Sequence, residues 1–92
     1  MKRERWWVYL VRCSDGSLYT GIARDVAARI AQHDAGKGAR YTRGRGPLVL
    51  CATKRCTTKS QALKLEHTIK QLSREEKEIF AERRRIPLKL PD

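Results

Sequence analysis

The chain lacks what a zinc finger, a disulfide scaffold or a membrane anchor would need. Its three cysteines, Cys13, Cys51 and Cys56, form no CxxC pair, and its two histidines, His33 and His67, stand far apart. That is no zinc-site spacing, and an odd, scattered set of cysteines reads as reduced thiols in a cytoplasm-like compartment. No stretch approaches the roughly 20 apolar residues that a membrane span needs. The start MKRERWWVYLV is basic, but its apolar run is too short for a signal peptide and continues directly into an alternating strand. Acidic residues are also scarce: 10 against 21 lysines and arginines, a net charge of +11. Solubility does not require that excess, and self-repulsion opposes compaction. A polyanionic partner accounts for it, nucleic acid first. An acidic membrane surface is the competitor, but it would want a long amphipathic helix or a lipidation motif, and neither is present.

The 92 residues suffice for one modest core, so the chain reads as a single domain over 1–92, with a core at about 6–84. Trp6 to Arg12 and Leu18 to Ala23 are rich in aromatic and branched residues and flank the turn cluster Ser14-Asp15-Gly16-Ser17, a β-hairpin pattern. Asp25 is a good N-cap, behind which Val26, Ala27, Ile30 and Ala31 mark the apolar stripe of a short helix fading at Gly36. Gly36 to Pro47 holds four glycines, a proline and Lys37, Arg40, Arg43 and Arg45, and reads as an exposed basic loop. Leu48 to Thr53 follows as a short third strand. Ala62, Leu65, Ile69 and Leu72 give a second helix a clear apolar face. Ser73-Arg74-Glu75-Glu76 matches a capping box for a third helix that carries Ile79 and Phe80 inward. The tail 86–92 is irregular. The expected fold is α+β: a small three-stranded antiparallel sheet flanked by helices, in the order ββαβαα.

Several residues in this frame can carry chemistry. Tyr9 and Tyr19 fit a hairpin by β propensity alone. A two-residue Asp15-Gly16 loop would put them on opposite faces. A three-residue Asp15-Gly16-Ser17 loop would put them on one face, because a strand repeats every two residues. Arg29 and His33 are spaced i, i+4 and stack on one side of the first helix, beside its apolar stripe; a solvated Arg and an ordinary His would look the same. Glu66 projects at the margin of the second helix's apolar face, where a half-buried carboxylate needs a partner. Lys70 can pair with it at i+4, and otherwise counts among the basic residues offered to nucleic acid. Two tyrosines, an Arg and His pair and one carboxylate in so basic a chain are the parts for metal-assisted phosphodiester cleavage.

These segments, "WVYLVRCSDGSLYTGIARDVAARIAQHDAGKGARYT" followed by "ALKLEHTIKQL", resemble the GIY-YIG endonuclease domain. The likeness is to the short single-domain branch related to the N-terminal nuclease module in the C component of the DNA-repair enzyme excinuclease ABC. Val8-Tyr9 stands for Ile-Tyr and Tyr19-Thr20-Gly21 for Tyr-Ile-Gly, and the match runs from Trp7 to about Phe80. The resemblance implies a nuclease acting on DNA, or on structured DNA or RNA, with one divalent metal ion, Mg²⁺ first. Tyr9 would deprotonate or orient the attacking water, and Tyr19 would support it. Arg29 would neutralise the scissile phosphate, His33 would hydrogen-bond within the cluster, and Glu66 would hold the metal against the leaving oxygen. An unperturbed phenol has a pKa of about 10. A nearby guanidinium and a metal ion would lower it. Both tyrosines in one site imply the same-face register, with the three-residue loop or an equivalent bulge. Trp7-Val8 replaces Gly-Ile, and the Asn that larger members carry after the metal-binding helix has no counterpart, since the chain contains no asparagine. Two rival readings share the charge: a nucleic-acid-binding module of the same fold without catalysis, and a basic ribosome- or RNA-associated protein. A cytoplasmic location is expected, and a monomer is compatible with the sequence.

Overall fold

The structure is a computed structural model and describes residues 5–92; the basic residues before Arg5 lie outside the described part. Strands β1 (Trp6–Arg12), β2 (Leu18–Ala23) and β3 (Val49–Cys56) form one antiparallel sheet in the order β2-β1-β3. Helices α1 (Val26–Asp34), α2 (Lys59–Lys70) and α3 (Arg74–Arg83) complete the order ββαβαα. Among the described residues no helix is long and apolar enough to cross a membrane.

Residue alternation on β1 divides the core in two. Val8 and Leu10 point to one side, where they meet Ala62, Leu65 and Ile69 of α2, Phe80 and Ala81 of α3, and Ile86 beyond it. Tyr9 and Val11 point to the other, against Ala23, Leu48 and the half-buried Val26 and Ile30 of α1. Caps fix where the helices start. The side chains of Asp25, Thr58 and Ser73 accept from the backbone N–H of Ala28, Gln61 and Glu76.

Five expectations are corrected. The hairpin loop is Ser14-Asp15-Gly16, one residue earlier than Asp15–Ser17, closed by Cys13 N–H donating to Ser17 O at 2.8 Å and Gly16 N–H donating to Cys13 O at 3.0 Å. Its third position is left-handed, and Gly16 (φ 86°) takes it without strain where Ser17 could not. Parity is preserved: Tyr9 opposes Gly21 and Tyr19 opposes Val11, so both tyrosines share a face. On α1 the inward line is Val26, Ile30 and His33, with Ala27 and Ala31 in water, because i, i+4 and i+7 define one face. The third strand begins at Val49 and runs on to Cys56, since Lys54 and Arg55 continue the pairing with Val8 and Trp7. On α3, Phe80 and Ala81 are buried while Ile79 is exposed. Within the basic loop, Thr42 is 1% exposed, in a short 3₁₀ turn over Arg40–Thr42.

Candidate active site

The hairpin register sets up the site. Tyr9 lies on the central strand, 1% exposed, with its ring over Gly21 of β2. A Cβ at Gly21 would stand 2.3 Å from Tyr9 Oη, so this approach needs glycine. Across the sheet face, α1 delivers His33, 2% exposed, whose Nε2 is 2.8 Å from Tyr9 Oη. On its far side, His33 Nδ1 lies 2.7 Å from Thr42 Oγ1 and accepts from the backbone N–H of Ala39 at 3.1 Å. The Thr42 hydroxyl is also 2.9 Å from Ala39 O. A buried network thus joins the strand tyrosine, the helix histidine and the basic loop.

Tyr19 closes the cluster. Its ring centroid is 6.5 Å from that of Tyr9 and 5.5 Å, edge-on, from that of His33. Tyr41 stacks on its other side at 5.6 Å, and the Arg45 guanidinium lies 4.4 Å over Tyr41. Glu66, its side chain 18% exposed, pairs with Lys70 Nζ at 3.4 Å, and that ammonium also sits 5.7 Å over the Tyr19 ring. Arg29 is half-buried on α1 and donates to Gln32 Oε1 at 2.9 Å.

Burial pushes the Tyr9 phenol up to about 12, and Tyr19 adds to the rise. Arg29 opposes it by charge and hydrogen bonding, while the Glu66 carboxylate reinforces it. The expected guanidinium effect is present in direction, but desolvation outweighs it. The same burial, with Arg29 next in size, holds the His33 imidazole below its ordinary pKa; Asp34 acts weakly the other way.

The sequence-derived residues therefore divide. Tyr9, Tyr19 and His33 touch one another, and Arg29 and Glu66 act electrostatically on the same phenol. Lys70 serves Glu66 as its ion-pair partner. Lys37, Arg40 and Arg43 are exposed along the basic loop, whereas Arg45 is held to the Asp15 carboxylate of the hairpin loop. Thr42, the Ala39 N–H and Tyr41 were not singled out by sequence. A Thr and a Tyr amid Gly and Arg read as ordinary loop residues, and only the fold places them against His33 and Tyr19. Among the described residues no group of three or more His, Cys, Asp or Glu side chains forms a metal cage. The donor set nevertheless fits Mg²⁺, which usually takes one or two protein carboxylates and fills its shell with water and phosphate oxygens. Glu66, half-buried and paired with Lys70, is the carboxylate that acts on the Tyr9 phenol.

A family model described as the GIY-YIG catalytic domain matches residues 5–79. The chain is similar to a UPF0213 protein of Cronobacter sakazakii, 51% identical over 75 residues that make up 82% of this chain and 79% of that one. It is 54% identical over 71 residues to a UPF0213 protein of Halobacterium salinarum, covering 77% and 92% of the two chains. Among solved structures, the solution NMR structure of a UPF0213 protein from Bacillus halodurans has a TM-score of 0.56 at 46% identity, over 90% of this chain and 88% of that one. Taken with the shared tyrosine face of the hairpin, these matches settle the family: the chain belongs to the GIY-YIG catalytic domain family.

Proposed function

We propose that this protein is a metal-dependent endonuclease that hydrolyses phosphodiester bonds in nucleic acid, DNA first. The observation that carries the reading is the buried Tyr9–His33 contact at 2.8 Å, with Tyr19, Arg29 and Glu66 gathered around one phenol. Tyr9 orients the attacking water and takes its proton. Tyr19 supports the ring, His33 fixes the phenol oxygen, and Arg29 offsets the charge that develops on the phosphate. Glu66 would hold a divalent ion, which would supply further positive charge to stabilise the leaving oxygen. Tyr9 is a base only as the phenolate, and any positive charge near the ring, Arg29's included, opposes the rise that burial imposes. Exposed Lys37, Arg40 and Arg43 supply the phosphate attraction that brings substrate to the site.

One observation favours the rival, a binding module without catalysis. With its pKa near 12 the phenol is protonated at neutral pH in the free protein, and Lys70 already pairs with Glu66. The deciding experiment is incubation of purified protein with linear and structured DNA, and with RNA, in Mg²⁺ and in EDTA. Cleavage in Mg²⁺ that stops in EDTA supports the nuclease. Binding without cleavage in either buffer leaves the binding module.

A further inference from the structure

We infer that His33 is locked in one tautomer, with its hydrogen on Nε2, so that it donates to Tyr9 Oη and cannot receive the Tyr9 proton. We infer further that Thr42 is the positioning residue that holds it there. Both statements rest on the reading of Tyr9 as the working phenol.

Hydrogens can be placed on this network in two ways. In the first, Tyr9 donates to Nε2, Nδ1–H donates to Thr42 Oγ1 at 2.7 Å, and the Thr42 hydroxyl donates to Ala39 O at 2.9 Å. In the second, Nε2–H donates to Tyr9 Oη, and Nδ1 is the acceptor for Thr42. The backbone N–H of Ala39, 3.1 Å from Nδ1, decides between them. Its hydrogen can be neither rotated nor removed. Facing an Nδ1–H it would be repelled and left without an acceptor, a costly state for a partly buried amide. In the second arrangement the imidazole and the loop groups are all paired: Nδ1 accepts from Ala39 N–H and Thr42 Oγ1–H, Ala39 O still accepts from Thr42 N–H at 3.1 Å, and the Tyr9 hydroxyl hydrogen, free to rotate about its C–O bond as an amide hydrogen is not, turns away from Nε2.

The surroundings reinforce the lock. A Cβ at Gly38 would lie 2.0 Å from His33 Nδ1, so the backbone closes on the ring only because residue 38 is glycine. His33 and Thr42 are 2% and 1% exposed, so bulk solvent has little access to this contact. Burial also favours the neutral imidazole, which carries a single ring hydrogen.

Two consequences follow for the chemistry. Tyr9 Oη faces a fixed donor that strengthens as the oxygen gains negative charge. An imidazole that already carries its hydrogen on Nε2 is not the acceptor of the Tyr9 proton. In addition, Ala39 and Thr42 bracket the exposed Arg40 in sequence, with exposed Arg43 next. The segment that would grip phosphate is therefore the segment that orients the phenol's partner.

Nitrogen-15 NMR of the uniformly labelled parent protein reads the tautomer directly. The expected His33 signals are a protonated-type Nε2 and an unprotonated-type Nδ1; the reverse assignment overturns the inference. Single-turnover and steady-state cleavage of Thr42→Val and Thr42→Ser test the positioning role. Thr42→Val should lose roughly tenfold to a hundredfold in kcat with KM little changed. Thr42→Ser, which keeps the hydroxyl, should recover most of that rate. Parental kcat in Thr42→Val, or no rescue by Thr42→Ser, refutes the role of Thr42. A parent protein that cleaves nothing sinks the nuclease reading instead, and the NMR spectrum still decides the tautomer.

Discussion

Replacing Tyr9 with Phe removes one oxygen from the middle of the protein and leaves the ring in place. Tyr9 is 1% exposed and its hydroxyl is 2.8 Å from a histidine that is itself 2% exposed, so no water can take its place. The imidazole nitrogen left behind is a buried polar group without a partner, which costs about 1–3 kcal/mol. For a domain of this size each kcal/mol moves the melting temperature by roughly 4–8 °C. If Tyr9 also acts on the attacking water, cleavage should fall by about 10²–10⁴-fold. Binding to uncleaved DNA should stay near parental, because the exposed basic loop is untouched. There is an alkaline signature too. The phenol's pKa rises from 10.0 to about 12 on folding, so between those values the folded chain keeps a proton that the unfolded chain has lost. Stability therefore falls with rising pH across that window, and Tyr9→Phe should flatten the fall. The measurements are a thermal melt, a denaturant titration from pH 9 to 12, and single-turnover cleavage at a temperature where both proteins are folded. A Tyr9→Phe protein that cuts at the parental rate returns Tyr9 to packing. One that melts with the parent shows that the buried hydrogen bond contributes nothing.

Glu66→Ala should abolish Mg²⁺-dependent cleavage while keeping the fold and most DNA affinity; cleavage at the parental rate removes Glu66 from metal binding. Replacing Arg40 and Arg43 together with Ala should weaken binding to all sequences alike and flatten the slope of log affinity against log salt by about 0.9 for each phosphate no longer neutralised. An unchanged slope makes these arginines solvating charge only. Gly21→Ala would place a Cβ 2.3 Å from Tyr9 Oη and 2.5 Å from Cζ, on a ring pinned by His33, so overpacking of about 1–3 kcal/mol should accompany loss of cleavage. A Gly21→Ala protein with parental melting and rate would mean that the Tyr9 ring can move aside freely.

Much of the fold was legible because its signals are local. Alternation in Trp6–Arg12 and Leu18–Ala23, and the Asp25 and Ser73 caps, depend on near neighbours, and those elements lie where the pattern puts them. The errors arose where a long-range partner decides. Lys54 and Arg55 do not look like strand residues, yet they pair with Val8 and Trp7 of β1 and β3 runs to Cys56. Ile79 looks like a core residue beside Phe80, yet α3 turns Phe80 and Ala81 to the core and leaves Ile79 in water. Hairpin parity was recoverable only through the family resemblance, which puts two tyrosines in one site. The exact loop depended on which residue could turn left-handed, and Gly16 had the better claim.

The site shows the same division more sharply. Side chains with conspicuous chemistry, Tyr9, Tyr19, Arg29, His33 and Glu66, could be named from type and spacing. What brings them to one place could not, because it consists of groups with no chemical signature of their own. One is a backbone N–H at Ala39, one a threonine hydroxyl, and two are missing side chains, at Gly21 and Gly38. Each glycine permits an approach that any Cβ would block, at 2.3 Å from Tyr9 and 2.0 Å from His33. Gly21 lets the strand tyrosine lie flat across β2, and Gly38 lets the loop backbone reach the imidazole. Between them they fix the two ring systems that meet in a direct hydrogen bond at the centre of the cluster. The glycine of the second tyrosine motif is thus a steric requirement of the tyrosine in the first. That relation is visible only once the two strands are paired, Tyr9 opposite Gly21.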